Sequence, residues 1–393
     1  MNLIAKDQQF IFQTYRRQPL QIDRAKGVWV WDAAGKKYLD FFSGLAVNNL
    51  GHCHPALLRA IAAQSKKILH ASNLYYTRPQ LDCAERLVMR SFQGKVFFAN
   101  SGAEANECAF KISRRWGHFL NDKKKFEVIA FQNSFHGRTM ATLTLTGQTK
   151  YQKNFDPLVA KVRYARFNDI ASVEKLISHR TSAVIIEPIQ GEGGVCVADK
   201  KFLKALKILC RQHQALLIFD EVQCGMGRTG KLFAFEHYGL QPDILTLAKG
   251  LGGGLPIGAV VASDRCAKLL QYGDHASTFG GNPVSCAVAT AVLKTLDKIF
   301  LDAVTQKGNY FAERLQLLQK KYPQIIAEVR GQGLMLGCEL KILGADIVRD
   351  GLAQGLLINC TQDKVLRFLP PLTITKKEID IGIKILENVL EKC

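Results

Sequence analysis

Short apolar runs alternate with amphipathic segments between about residues 95 and 263. The apolar runs predict buried strands at residues 95–98, 128–131, 183–187, 215–220, 244–247 and 259–262. Between several of these strands the apolar positions recur with helical spacing, as they do at residues 103–116 and 200–213. Continuously apolar strands that alternate with helices are typical of a mostly parallel sheet covered on both faces. The pattern therefore predicts an α/β domain that binds its ligand beyond the carboxyl ends of the strands.

The pattern changes after about residue 290. Long helical patterns at residues 284–301, 311–322 and 376–390 surround short strands near 333–340 and 365–369. We therefore predict a large domain at residues 51–290 and a smaller α+β domain at residues 291–393. Residues 27–42 have the pattern of a hairpin with its turn at 32–36, which is too short to form a core alone. The N-terminal segment, residues 1–50, is accordingly expected to pack with the small domain.

Composition narrows the class of protein. The chain has 393 residues, and 47% of them are hydrophobic, which is typical of a globular protein with a substantial core. No apolar run approaches the roughly 18 residues that span a bilayer, and the N-terminus lacks the pattern of a signal peptide. The eleven cysteines are scattered, with no C-x-x-C pair and no metal-ligand spacing. These features predict free thiols, a cytoplasmic protein, no metal and no membrane partner.

The net charge is unusually positive. The chain has 53 Lys and Arg against 34 Asp and Glu, which gives a formal charge of +19. Such a charge is compatible with nucleic-acid binding, and equally with a solvated basic surface. The densest runs, residues 123–125 and 200–201, lack interleaved aromatic residues, and the sequence contains no nucleic-acid-binding motif. We therefore favour the solvated surface and expect no nucleic-acid partner.

Three segments that follow or end predicted strands carry residues suited to chemistry. Residues 100–104, NSGAE, open a helix, where Ser101 and Glu104 have capping-box spacing and free N–H groups beside Gly102 would suit a phosphate. Asp220 and Glu221 end an apolar run, and a carboxylate at this strand end could keep the ring nitrogen of a pyridine cofactor protonated. Lys249 ends another such run, and buried surroundings would lower the pKa of its amine and make it nucleophilic. Each feature alone has a structural explanation, but the three together indicate a cofactor site.

Two other segments carry weaker signals. In residues 135–138, FHGR, the ring of Phe135 could stack on a flat cofactor and Arg138 could bind a carboxylate through two hydrogen bonds. His136 is a possible acid–base group, although a histidine beside a glycine is more often structural. Residues 187–192, EPIQGE, follow a strand and have the pattern of a strand-end turn.

Six motifs in order give the chain its resemblance to a known family. They are NSGAEAN at 100–106, FHGRT at 135–139, EPIQGEGG at 187–194, FDEVQCGMGRTG at 219–230, LAKGLGGGLPIGA at 247–259 and STFGGNP at 277–283. From about residue 15 to its end the chain resembles the class III aminotransferases, in the ornithine/acetylornithine branch of the fold-type I pyridoxal-phosphate enzymes. The resemblance implies pyridoxal 5'-phosphate as cofactor and a homodimer with a shared active site.

The resemblance also implies roles for individual residues. Lys249 and Asp220 are the expected catalytic residues, since the lysine binds the cofactor covalently and transfers the proton while the aspartate pairs with the ring nitrogen. The residues expected to hold the cofactor are Gly102 and Ala103 at the phosphate, Phe135 and Val222 on the two ring faces, Gln223 at the ring hydroxyl, Asp220, Lys249, and Thr278, which reaches the phosphate of the neighbouring subunit. Those expected at the substrate are Tyr15, Arg138, Glu192, Ser277 and Arg367.

The substrate follows partly from the resemblance and partly from one apolar residue. We expect transfer of the terminal amino group of N2-acetylornithine to 2-oxoglutarate, a step of arginine biosynthesis. Glu192 is expected to mask Arg367 while the donor is bound and to free it for the α-carboxylate of 2-oxoglutarate. Enzymes for free ornithine have a tyrosine where this chain has Leu45, which offers no polar atom to a charged α-ammonium group.

Other functions remain open at this stage. Within the family the alternatives are aminotransferases for ornithine, succinylornithine, succinyldiaminopimelate or 4-aminobutyrate, or an aminomutase. Outside the family, the positive charge leaves a basic nucleic-acid-binding protein as the alternative.

Overall fold

The computed structural model describes residues 3–393. The N-terminal part contains α1 (Leu3–Phe10), β1 (Ile22–Lys26), β2 (Trp29–Asp32), β3 (Lys37–Asp40) and α2 (Ser43–Ala46). Strands β1, β2 and β3 pair as an antiparallel meander, and its second turn lies at residues 32–36, as predicted. The Asp32 carboxylate fixes that turn by accepting hydrogen bonds from the backbone N–H groups of Ala34 and Lys36 at 3.0 and 2.8 Å.

The central part of the chain contains the large sheet and the helices that cover it. Its elements are α3 (Pro55–Ser65), α4 (Arg78–Arg90), β4 (Gly94–Ala99), α5 (Gly102–Phe119), β5 (Glu127–Phe131), α6 (Met140–Leu145), α7 (Thr149–Gln152), β6 (Val162–Ala165), α8 (Ile170–Glu174), β7 (Thr181–Ile186), β8 (Ile189–Gln190), β9 (Cys196–Val197), α9 (Lys200–Gln212), β10 (Leu216–Asp220), β11 (Ile244–Leu247), β12 (Gly258–Ser263), α10 (Asp264–Ala267) and α11 (Pro283–Thr295). Two short 3-10 helices lie at Ala234–Tyr238 and Lys249–Leu251.

The seven-stranded sheet has the order β4–β12–β11–β10–β7–β5–β6. Strand β12 runs antiparallel to both of its neighbours, and the remaining pairs are parallel. The prediction of an α/β domain with a mostly parallel sheet is confirmed, and all six predicted strands are present. Strand β6 was not predicted, because its sequence VRYA is short and mixes polar with apolar residues.

The C-terminal part forms a smaller antiparallel sheet covered by helices. Its elements are α12 (Lys298–Lys321), β13 (Ile326–Gln332), β14 (Met335–Leu340), α13 (Ala345–Ala353), β15 (Leu356–Leu357), β16 (Asn359–Thr361), β17 (Val365–Phe368) and α14 (Lys376–Leu390). The main sheet here has the order β13–β14–β17–β16. Strand β15 instead pairs in parallel with β3, so the N-terminal segment contacts the C-terminal part through this pair.

The predicted helices at 284–301 and 311–322 were wrong in their limits. Helix α11 ends at residue 295 and α12 begins at residue 298, so residues 296–297 separate two helices. Helix α12 then continues without interruption through residue 321. Asp297 causes this restart, because its carboxylate accepts a hydrogen bond from the N–H of Phe300 at 2.8 Å and caps α12. The division into residues 1–50, 51–290 and 291–393 stays a prediction. Its second boundary, between residues 290 and 291, falls inside α11, a few residues before the end of that helix.

Two further observations concern the chain as a whole. Within residues 3–393, no helix is both long and apolar enough to cross a membrane. The eleven cysteines carry free thiols, as predicted.

Candidate active site

A cavity of about 520 Å³ lies beyond the carboxyl ends of β4, β10 and β11. The sheet brings these ends to one edge because β4, β10 and β11 run in the same direction, with the antiparallel β12 between β4 and β11. Nine of the residues predicted to act at the site line the cavity: Gly102, Ala103, Phe135, Arg138, Glu192, Asp220, Val222, Gln223 and Lys249.

Asp220 lies at the end of β10, almost fully buried and with both oxygens engaged. One oxygen accepts a hydrogen bond from the Asn106 side-chain amide at 2.7 Å and lies 2.7 Å from Nδ1 of His136. The other accepts from the N–H of Val222 at 3.0 Å. The carboxylate is therefore held in one orientation by three groups. Nε2 of His136 is buried and has no hydrogen-bond partner among the described residues.

Asn106 was not predicted as a site residue. Its amide donates to Asp220 and to the carbonyl of His136 at 2.8 Å, and its oxygen accepts from Oγ1 of Thr246 at 2.8 Å. Asn106 lies four residues after Gly102 on α5, so helical spacing puts both on one face. That spacing within the motif NSGAEAN was a usable signal.

The start of α5 forms one end of the cavity. Oγ of Ser101 caps the helix by accepting from the N–H of Glu104 at 3.2 Å. The Glu104 carboxylate returns to the N–H of Asn100 at 2.6 Å and not to that of Ser101, so the reciprocal bond of a capping box forms one residue earlier. The N–H groups of Gly102 and Ala103 lie in the first turn, where helix geometry provides no intrahelical acceptor. A Cβ at Gly102 would lie 2.7 Å from Cγ1 of Val222, so the backbone can approach this wall only as glycine.

Lys249 lies two residues after the end of β11, in a left-handed backbone conformation with φ of 44°. Burial lowers the pKa of its amine below 10.5. The negative charge of Glu192 opposes that shift, and the positive charge of Arg367 adds to it. The site therefore favours a neutral amine on Lys249 more than water does.

Glu192 and Arg367 form the predicted pair, with 2.6 Å between Oε1 and Nη1. The Arg367 side chain is buried, and the oxygens of Gln223 and Asn359 also accept from it at 3.1 and 3.3 Å. Burial by itself would raise the pKa of Glu192, but the charge of Arg367 and its hydrogen bond outweigh that and lower it. Glu192 is therefore a carboxylate at neutral pH, and the buried guanidinium has an internal counter-ion.

Glu187 is a second cavity residue that was predicted only as part of a turn. It directly follows β7 and is buried, and its carboxyl group accepts from the N–H of Phe135 at 3.0 Å. Burial raises the pKa of Glu187, and the neighbouring charge of Asp220 raises it further. This contact fixes the backbone of the residue predicted to stack on the cofactor.

Besides Arg367, which contacts the lining residues Glu192 and Gln223 but does not line the cavity itself, four residues with predicted roles do not line it within one chain. Tyr15 is 71% exposed, in an extended segment before β1, where the guanidinium of Arg17 covers its ring. Leu45 lies in a left-handed turn, with φ of 64°, and Val47 contributes to the wall in its place. Neither residue lines the cavity of a single subunit, and that Tyr15 and Leu45 face the donor stays a prediction.

Ser277 and Thr278 lie outside the cavity on another side. Oγ of Ser277 accepts from the side chain of Asn100 at 3.2 Å and from the N–H of Gly280 at 2.9 Å. Thr278 lines a separate small pocket beside Asn73. The location of Thr278 is compatible with its predicted role, which required a neighbouring subunit.

The chain is similar in sequence to a family of known enzymes. The family model for class-III aminotransferases matches residues 11–390. The chain is 51% identical to the acetylornithine aminotransferase of Methanocaldococcus jannaschii, over 99% of this chain and 98% of the relative. It is 49% identical to the acetylornithine aminotransferase of Caldanaerobacter subterraneus subsp. tengcongensis, over 99% of both chains.

A solved structure is similar over nearly the whole chain. It is the ornithine aminotransferase from Toxoplasma gondii, with partial occupancy of PLP at the protein active site. The TM-score is 0.94 at 34% sequence identity, and the alignment covers 98% of this chain and 93% of the other.

Proposed function

The chain belongs to the class-III aminotransferases, and from that membership we propose that it transfers the terminal amino group of N2-acetylornithine to 2-oxoglutarate, with pyridoxal 5'-phosphate as cofactor. The products are N-acetylglutamate 5-semialdehyde and glutamate, and the reaction is a step of arginine biosynthesis. One observation carries the proposal: the buried amine of Lys249, the buried carboxylate of Asp220 and the free N–H groups at the start of α5 line the same cavity.

The cavity residues fit this cofactor. When bound, pyridoxal phosphate supplies an electron sink for the carbon that bears the reacting nitrogen. The first-turn N–H groups of Gly102 and Ala103 hold its phosphate, as helix N-termini hold anions. Phe135 and Val222 would cover the two ring faces, and Gln223 would donate to the ring hydroxyl. The oriented carboxylate of Asp220 pairs with the ring nitrogen and keeps it protonated.

Lys249 has two tasks in the proposed reaction. Its Nζ would hold the cofactor, and the same nitrogen, once free, would accept the proton of the donor carbon and return it. A lysine with a pKa of 10.5 would be protonated at neutral pH and could not accept that proton. The burial that lowers the pKa of Lys249 therefore favours both tasks.

Two arginines bind the substrate carboxylates. Arg138 binds the donor carboxylate, which is remote from the reacting amine. Arg367 is paired with Glu192 while the donor is bound, and it is released for the α-carboxylate of 2-oxoglutarate or glutamate. A single cavity can in this way accept an ω-amine in one half-reaction and an α-amino acid in the other.

The choice of the acetylated donor rests mainly on the relatives. The two acetylornithine aminotransferases are 51% and 49% identical to the chain, whereas the ornithine aminotransferase is 34% identical. Leu45 adds support only if assembly brings it to the cavity, since Val47 lines the wall in a single subunit. A succinylated donor fits the same reasoning and is an outcome that the substrate test must separate.

We further propose that the enzyme works as a cytoplasmic homodimer. Thr278 lies outside its own subunit's cavity, next to the exposed ring of Phe279, and Tyr75 and Tyr76 are also largely exposed. Large exposed aromatic side chains of this kind are typical of an interface. A partner that covers them would receive Thr278 at its phosphate site. Free thiols in all eleven cysteines suit a reducing compartment.

The decisive experiment compares kcat/KM for N2-acetylornithine, N2-succinylornithine and free ornithine, with 2-oxoglutarate as the acceptor. We expect the acetylated donor to be preferred over free ornithine, and equal or better use of free ornithine would reject the donor assignment. Borohydride reduction followed by peptide mapping tests the cofactor site in the same preparation. The label should be on Lys249 and should be absent from Lys249→Ala, and a label on another lysine would reject the site.

A further inference from the structure

Arg138 is oriented by aromatic rings and not by polar partners. It lines the cavity and is exposed, and within residues 3–393 its side chain has no ion pair or hydrogen bond. Its described contacts are with two rings, those of Tyr151 and Phe135. Because a free arginine side chain has several rotatable bonds, something must restrict it if it is to receive a carboxylate without a large entropy loss.

The ring of Tyr151 makes the closer of the two contacts. The guanidinium carbon of Arg138 lies 4.0 Å from the centroid of the Tyr151 ring and 5.5 Å from that of Phe135. The two rings pack against each other edge to face, with 5.9 Å between centroids and 86° between planes. A guanidinium stacked on a ring by its face keeps its N–H groups, which lie in its own plane, available to a carboxylate.

The backbone around Tyr151 is well anchored, so its ring is a fixed surface. Tyr151 lies on α7, and its N–H donates to the carbonyl of Gln148 at 3.0 Å. The next residue, Gln152, donates to the carbonyl of Thr146 at 2.8 Å and to the hydroxyl of Tyr164 at 2.9 Å. These bonds tie α7 to the end of α6 and to β6.

We propose that Tyr151 is a positioning residue that makes the enzyme specific for donors with a carboxylate remote from the reacting amine. It acts by holding the guanidinium of Arg138 in the orientation that the carboxylate needs. The inference rests on the proposed role of Arg138, and it adds a residue that none of the six sequence motifs contains. The Tyr151 hydroxyl is not needed for this role, because the contact is with the ring.

The test uses two donors that differ only in the carboxylate. N2-Acetylornithine and N-acetyl-1,4-diaminobutane share the reacting amine and the amide, and the second lacks the carboxylate. The measured quantity is the ratio of their kcat/KM values. In Tyr151→Leu we expect this ratio to fall by about three- to ten-fold, the range of a partly exposed cation–π contact. The fall should arise from a higher KM for the carboxylated donor.

The ratio of the two kcat/KM values distinguishes a loss of Arg138 positioning from general damage to the active site. Tyr151 also packs on Phe135, so a disturbed cofactor would slow both donors alike and leave the ratio unchanged. Tyr151→Phe keeps the ring and should restore the ratio of the parent enzyme. Phe155→Leu is the matched control, since it removes a half-exposed aromatic residue nearby that has no described contact with Arg138. Tyr151→Met provides a second test if the leucine variant does not fold.

Variants of Arg138 distinguish failure of this inference from failure of the proposed function. If Arg138→Ala leaves the ratio unchanged, then Arg138 does not bind the donor carboxylate and the proposed function loses that step. If Arg138→Ala lowers the ratio but Tyr151→Leu does not, then only the role of Tyr151 is overturned. When both residues are replaced, we expect no fall beyond that of Arg138→Ala, and an additional fall would mean that Tyr151 acts independently of Arg138.

Discussion

Removing the carboxylate of Glu192 should convert the enzyme from one that favours ω-amines to one that accepts α-amino acids. In the resting protein, Glu192 lies 2.6 Å from the buried guanidinium of Arg367. An α-amino acid that uses Arg367 must first displace this carboxylate. In Glu192→Ala the guanidinium has lost its only charged partner among the described residues, so an incoming carboxylate finds a buried and unpaired cation.

The size of the effect follows from the burial of the pair. Removing one partner of a fully buried ion pair costs about 3–5 kcal/mol, which an entering carboxylate can recover. Two contacts reduce that amount here, because the oxygens of Gln223 and Asn359 still accept from Arg367. The Glu192 side chain is also one-fifth exposed, so part of its charge is screened. We therefore expect a gain of about 2 kcal/mol, which is about thirty-fold in kcat/KM for glutamate.

The assay follows each half-reaction separately, by the absorbance of the bound cofactor in single-turnover experiments. The glutamate half-reaction should become about thirty-fold faster in Glu192→Ala at subsaturating substrate. The N2-acetylornithine half-reaction should become slower, because the free Arg367 competes with Arg138 for the donor carboxylate. Glu192→Gln is the matched control, since it keeps a hydrogen-bond acceptor without the charge. Its rate in the glutamate half-reaction should lie between those of the parent enzyme and Glu192→Ala. An unchanged rate of the glutamate half-reaction in Glu192→Ala would refute the proposal that Glu192 masks Arg367.

Three other predictions follow from the buried ionisable groups. Burial lowers the pKa of Lys249, so the rate at which the apoprotein binds the cofactor covalently should increase with pH and level off below pH 10.5. Stopped-flow absorbance measures this rate, and an increase that continues beyond pH 10.5 would contradict the lowered pKa. Asp220→Asn should bind the cofactor and keep its fold, yet slow both half-reactions by about a hundred- to a thousand-fold, so near-normal single-turnover rates would exclude its role. Burial raises the pKa of Glu221 to about 8, from a usual value of 4.5, so its contribution to stability is fully present below pH 4.5 and is lost as the pH rises through 8. Chemical unfolding between pH 4.5 and 9 should therefore show a weaker pH dependence for Glu221→Gln, and identical slopes for the two proteins would contradict the shift.

The sequence could predict the site because the relevant residues lie at strand ends. The carboxyl ends of parallel strands meet at one edge of a sheet, so Asp220 and Lys249 could be expected at the same edge once the strands were identified. The start of α5, with Gly102, follows a third strand that ends at the same edge. The chemistry of the three groups then indicated the cofactor before any side-chain contact was known.

The strand pattern could not choose between the two adjacent carboxylates at residues 220 and 221, and only the family resemblance assigned the role to Asp220. Successive strand residues point to opposite faces, and the sequence does not reveal which face the cavity occupies. In the structure Asp220 lines the cavity, while Glu221 accepts hydrogen bonds from the N–H groups of Ala234 and Phe235 at 2.6 and 2.7 Å. The carboxyl group of Glu221 therefore fixes the loop after β10 and takes no part in the cavity.

Contacts between distant segments were also beyond the sequence. Glu187 holds the N–H of Phe135 across 52 positions of the chain, and Tyr151 reaches Arg138 only because α6 and α7 turn the chain back. No periodicity records such pairs, since each depends on how two loops lie once the core has packed. The role of Tyr15 stays a prediction for a related reason, because its exposed segment has no apolar pattern that fixes its place.

The two arginines differ in a way that suits their proposed tasks. Every substrate of the proposed reaction carries a carboxylate remote from the reacting carbon, so Arg138 is never required to be masked. It can stay exposed, where an unpaired charge is solvated at little cost, and needs only a ring to orient it. Arg367 must be used in one half-reaction and hidden in the other. A buried guanidinium cannot be left unpaired between turnovers, since its desolvation would cost several kcal/mol. An internal carboxylate at the buried arginine meets both requirements, and Glu192 occupies that position.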